Sequence, residues 1–171
     1  MPNKRVAAKE AEYPGTAANS QYERVLFLYS QNQEPFARAL IPGITRRLDV
    51  TIDREMDPAL AIKRLQTAHH SKKGYNAILI DDLDTGAKYS NCILELLEVA
   101  ALAGIPALLY SNNPETRRQA TEMRSAYPAL KLKVLDDIDC TEERKEKEKK
   151  GPEHCLTELI ENGLDAILRA V

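Results

Sequence analysis

Asp81, Asp82 and Asp84 fall within four residues, directly after the apolar run Ala77-Ile78-Leu79-Ile80. Carboxylates crowded in this way can do three kinds of work. They can attack phosphorus as nucleophiles, relay a proton as general acid or base, or hold a hard cation through oxygen. The run before them is too short for a buried helix and is entered through Gly74-Tyr75-Asn76, which indicates a central strand covered on both faces. Ligands of an open parallel sheet collect beyond the carboxyl ends of its strands, so the three acids stand where a site is expected.

Other residues with chemical capacity are sparser. Ser111-Asn112-Asn113 closes a second apolar run, Ile105 to Tyr110, and offers a hydroxyl to an anion or a cap to the next helix. Ser30-Gln31 closes an earlier run, and Lys133 lies within a later one. His69-His70 and His154 lack companions at metal-ligand spacing and read as surface residues. The loop Tyr29-Ser30-Gln31-Asn32-Gln33-Glu34 contains no glycine. Backbone amides therefore have no ready approach to a phosphate, and flavin or nucleotide binding there is the weakest reading.

The elements that must position these residues alternate regularly. Apolar runs at 24–30, 49–53, 77–81, 105–111 and 130–135 read as strands. Amphipathic segments between and after them read as helices. Pro35 opens the first helix, which Pro42-Gly43 should kink or split; Asp57-Pro58 caps the second. The third runs from about Ala87 to Ala103 and ends at Gly104; the fourth starts at Asn113-Pro114 and is poor in apolar residues. The last opens at Gly151-Pro152 and repeats Leu156, Leu159, Ile160, Leu164, Ile167 and Leu168 at helical spacing, with Gly163 on the same face for close approach. Five strand-to-helix alternations predict an α/β domain: a doubly wound five-stranded parallel sheet, order 2-1-3-4-5, with helices on both faces in a three-layer α/β/α arrangement.

Composition limits the function classes. The 171 residues suit one domain at 22–171, preceded by a disordered tail at 1–21 and carrying a charged insertion at about 138–151. With 24 basic and 26 acidic residues there is no overall field to hold nucleic acid or a membrane surface. Cys92, Cys140 and Cys155 are odd in number and form no CxxC, which argues against a disulfide framework and for a reducing cytoplasm.

The passage Asp57-Pro58-Ala59-Leu60-Ala61-Ile62 through Tyr75-Asn76-Ala77-Ile78-Leu79-Ile80-Asp81 resembles the receiver domains of two-component response regulators, a flavodoxin-like fold. The resemblance spans about Arg24 to Val171. It implies that Asp81 is the phosphoacceptor-equivalent position and that Ser111, thirty residues later, is the phosphate-sensing hydroxyl. Lys133 is the nearest match to the family's charge-pairing lysine. Magnesium is implied as cofactor if the pocket is active, and a sensor kinase or another signalling protein as partner. Ser30-Gln31 stands where the family carries its acidic metal-binding pair, leaving Glu34 and Asp82 as the nearest substitutes. The expectation is therefore an atypical member, a pseudo-receiver, with a pocket of Ser30, Gln31, Asp82, Asp84, Ser111 and Lys133 around Asp81. It would act by protein contact through the fourth helix, the fifth strand and the last helix. A second, enzymatic expectation rests on Asp82-Leu83-Asp84-Thr85, which is similar to the nucleophile motif of haloacid-dehalogenase-type phosphatases, with Asp82 as nucleophile and Asp84 as general acid/base.

Overall fold

Every apolar run becomes a parallel strand of one sheet. The computed structural model describes residues 23–69, 74–82, 87–135 and 152–170, so the expected tail and charged insertion lie outside the described residues. In chain order the elements are β1 (Glu23–Leu28), α1 (Glu34–Leu48), β2 (Val50–Glu55), α2 (Pro58–His69), β3 (Ala77–Asp82), α3 (Ala87–Ala103), β4 (Ala107–Ser111), α4 (Pro114–Ala126), β5 (Leu132–Leu135) and α5 (Pro152–Arg169). The strand order is β2-β1-β3-β4-β5, all neighbours being parallel, which is the expected doubly wound topology.

Strand alternation sorts the core into two layers. Val25, Phe27, Ala77, Leu79, Leu108 and Leu135 meet α1 and α5 on one side. Leu26, Leu28, Ile78, Ile80, Leu109 and Leu132 meet α2, α3 and α4 on the other. Because β1, β3 and β4 are covered on both sides, their runs are continuously apolar instead of alternating. The rim strand β2 alternates, as the sequence pattern requires.

Local chemistry explains the helix ends. The Asp57 carboxylate accepts the Ala59 N–H at 2.9 Å, capping α2. Gly104 takes φ +68°, the left-handed conformation that ends α3 without a Cβ clash. In α5, a Cβ at Gly163 would lie 3.1 Å from Leu108 Cδ1, so the glycine allows the helix to settle on β4.

Two boundaries differ from the sequence reading. Helix α1 runs unbroken through Pro42 from Glu34 to Leu48. The proline ring lies on the exposed side, while Ala37, Leu40 and Ile44 anchor the helix to the sheet on the other. Asp49 is the left-handed C-cap of α1 (φ 53°, ψ 47°), not the first residue of β2, a conformation that aspartate tolerates better than most side chains.

Candidate functional site

β3 does not stop with its apolar residues; it continues through Asp81 and Asp82, so the two carboxylates leave the sheet on opposite faces. Asp82 stands opposite Ser111 in the β3–β4 register, and Asp81 opposite Tyr110. The Ser111 hydroxyl donates to Asp82 Oδ2 at 2.7 Å. Asp82 and Ser111 are 0% exposed and Asp81 is 1% exposed, so this acid–hydroxyl pair lies inside the molecule.

The first turn of α4 is built onto that pair. Ser111 Oγ also accepts the Asn113 N–H at 3.1 Å, and Asn113 Oδ1 accepts the N–H groups of Glu115 and Thr116 as an N-cap. Arg117 donates from Nη1 to the Ser111 carbonyl at 2.7 Å. Thr116 Oγ1 donates to Ser90 Oγ at 3.2 Å, tying the start of α4 to the start of α3. Tyr89 stands beside Ser90. Burial first, then the charges of Asp81 and Asp82, push its phenol well above its ordinary range. Tyr89, Ser90, Thr116 and Arg117 were not singled out from the sequence. The signal available was positional, since each opens a helix that follows one of the two strands ending in polar residues.

The other expected pocket residues are distributed differently. Ser30 opens a single 3-10 turn after β1, where its Oγ is buried without a hydrogen bond among the described residues, and Gln31 is exposed. Glu34 is already engaged: it accepts from the Tyr29 hydroxyl, and from Arg38 Nε at 2.6 Å. The Tyr29 hydrogen bond, then that of Arg38, holds the Glu34 carboxyl below its usual range. Lys133 is not brought to the pair. It stands level with Leu108, three rungs short of Ser111, and is exposed on the rim strand β5, because the chain enters that strand too late for Lys133 to reach its carboxyl end. Asp84 and the His70 position lie outside the described residues, as do the side chains of His69 and His154.

Magnesium prefers near-octahedral oxygen donors, usually including carboxylates. Among the described residues the donor set does not fit it: Asp81 and Asp82 diverge to opposite layers, and no group of three or more His, Cys, Asp or Glu side chains converges. Two open, adjoining grooves lie elsewhere, along β2 and the first turns of α2. The first, about 490 Å³, is lined by Arg24, Asp53, Lys63, Arg64 and Tyr75; the second, about 570 Å³, by Tyr29, Glu34, Arg54, Met56 and Leu60.

Fold and site thus define a doubly wound five-stranded α/β domain with a buried acid–hydroxyl pair at the carboxyl edge of its central strands. No protein-family profile matches the chain, and no curated protein sequence matches it. Among solved structures it is similar to part of the lysine decarboxylase LdcF of Francisella novicida, with a TM-score of 0.54 and 11% identity over 88% of this chain. The chain spans only 18% of that enzyme's length. It is also similar to a pilus assembly-related protein from Burkholderia pseudomallei, with a TM-score of 0.51 and 13% identity, covering 90% of this chain and 95% of that one. At such identities the likeness is one of fold. No helix among the described residues is long and apolar enough to cross a membrane.

Proposed function

We propose that the chain is a receiver-like signalling module of the pseudo-receiver kind, acting through contact with another signalling protein instead of metal-dependent phosphoryl transfer. The observation that carries this reading is the buried hydrogen bond from Ser111 to Asp82 across the ends of β3 and β4. It lies at the carboxyl ends of the two strands to which the receiver resemblance assigns phosphoacceptor and sensing hydroxyl, and among the described residues no group of three or more His, Cys, Asp or Glu side chains gathers there to hold a cation. By spacing the phosphoacceptor-equivalent is Asp81; by register the hydroxyl meets Asp82. Contact surfaces remain available on the same half of the molecule. The outer side of α4 is polar and exposed, and it is joined to the buried pair through Asn113 and Arg117.

Titration with magnesium and beryllofluoride, followed by backbone amide shifts, tests this reading. The expected result is no coupled change at Asp82, Ser111 and the first turn of α4. Large coupled shifts there would restore an active receiver. The phosphatase reading needs Asp82 as an accessible nucleophile, and its full burial weighs against that role. Turnover of a simple phosphate ester that disappears in Asp82→Asn would reverse the judgement.

A further inference from the structure

The rim formed by β2 carries the strongest unused feature of the molecule. Among the described residues β2 pairs only with β1, so one side of its backbone lies open. The Glu55 carbonyl accepts the Tyr29 N–H at 3.1 Å, which turns Glu55 inward. Alternation then turns the N–H and C=O groups of Ile52 and Arg54 outward. The two adjoining grooves run along this strand and the first turns of α2, sharing Asp53, Glu55, Leu60 and Arg64. Met56 and Leu60, 48% and 49% exposed, stand at its carboxyl end.

The charges along this rim are layered. In each of four ion pairs the carboxylate is the inner partner and the guanidinium the outer one. Side-chain exposures are 33% against 25% for Arg24–Asp53, 72% against 24% for Arg38–Glu34, 52% against 24% for Arg54–Glu34, and 45% against 10% for Arg64–Glu55. Lys63 is exposed beside them. Although acids and bases nearly balance by count, an approaching molecule meets the cations first. Arg24 is fixed in that position by stacking over the Tyr75 ring at 4.8 Å, while the Tyr75 hydroxyl donates to Asp53 at 2.9 Å.

We infer that the β2 rim is a docking site for an extended acidic segment of a partner protein, which adds as a sixth strand beside Ile52 and Arg54. The open backbone supplies main-chain hydrogen bonds, the outer guanidinium groups take carboxylates in fork geometry, and Met56 and Leu60 seat an apolar side chain. A polypeptide is favoured over a nucleic acid because an extended strand offers donors and acceptors at the same repeat as the open N–H and C=O groups. The rim lies two strands from the one that carries Asp82, and the docking does not use the Asp82–Ser111 pair.

The test uses the full chain and a fluorescent decapeptide of alternating valine and glutamate, with its valine–lysine counterpart and a single-stranded oligonucleotide of equal charge as comparisons. The acidic peptide should bind, slow amide exchange at Ile52 and Arg54, and lose affinity at least tenfold in the Arg54→Glu, Arg64→Glu double variant. Circular dichroism would confirm that this variant remains folded, and Met56→Ser should weaken binding several-fold without touching charge. Equal binding of the lysine peptide or tighter binding of the oligonucleotide would overturn the proposal. So would amide protection confined to residues outside β2.

Discussion

The Ser111 hydroxyl serves two neighbours at once, donating to Asp82 and accepting from Asn113. Removing it leaves a buried carboxylate short of a donor, a change of about 1–3 kcal/mol where the site cannot admit water. Ser111→Ala should therefore lower the unfolding free energy measured in urea by that order, while Ser111→Thr retains most of the stability. At Glu34 the prediction concerns titration. Its carboxyl is held below the usual range chiefly by the Tyr29 phenol, so its stabilising contribution is present above the ordinary carboxylate pKa and is lost as pH falls through the depressed folded value. Tyr29→Phe should move the Glu34 carboxyl resonance back toward an ordinary titration, readable by carbon-detected NMR. Tyr89 behaves oppositely. Its phenol is raised above 10.0 by burial and by both aspartates, so stability should decline as pH rises past that value, and Tyr89→Phe should flatten the decline.

At the scale of elements, two glycines separate packing from propensity. Gly163 faces Leu108 in the core, and its missing side chain is where α5 meets β4. Gly163→Leu should destabilise by roughly 1–3 kcal/mol or prevent folding, since an overpacked interior must shift backbone. Gly43 in α1 has as its nearest obstacle the Glu161 Oε1 atom at 2.8 Å, the far end of a side chain that also receives Arg47. That side chain can swing aside, so Gly43→Ala should gain up to about 1 kcal/mol from helix propensity, offset in part by the disturbed ion pair. Thermal denaturation of the two variants in one buffer decides the contrast. The same scale shows what was legible in the sequence. Apolar runs and proline or glycine punctuation announced each strand and helix, because burial on two faces imposes continuous runs. The unbroken passage of α1 through Pro42 was not legible, since it depends on which side of the helix the ring occupies.

For the whole molecule, topology was readable from alternation alone, whereas the site was readable only in part. Asp82 and Ser111 were found because strand ends collect polar residues. Their pairing depended on the β3–β4 register, which places Asp82 and not Asp81 opposite the hydroxyl. No local pattern fixes a register between strands separated by a helix. Tyr89, Ser90, Thr116 and Arg117 escaped notice for a related reason: they come from two helices that meet only once the sheet is assembled.

Lys133 has a different consequence from the one its position in the sequence suggested. It stands exposed on β5, the opposite border of the sheet from β2. An exposed cation projecting from a terminal strand hinders a neighbouring molecule from stacking on, because the newcomer would have to strip its hydration. Lys133→Val should leave the monomer folded but raise light scattering on storage at millimolar concentration. An unchanged solubility limit would mean that this border is protected by some other means.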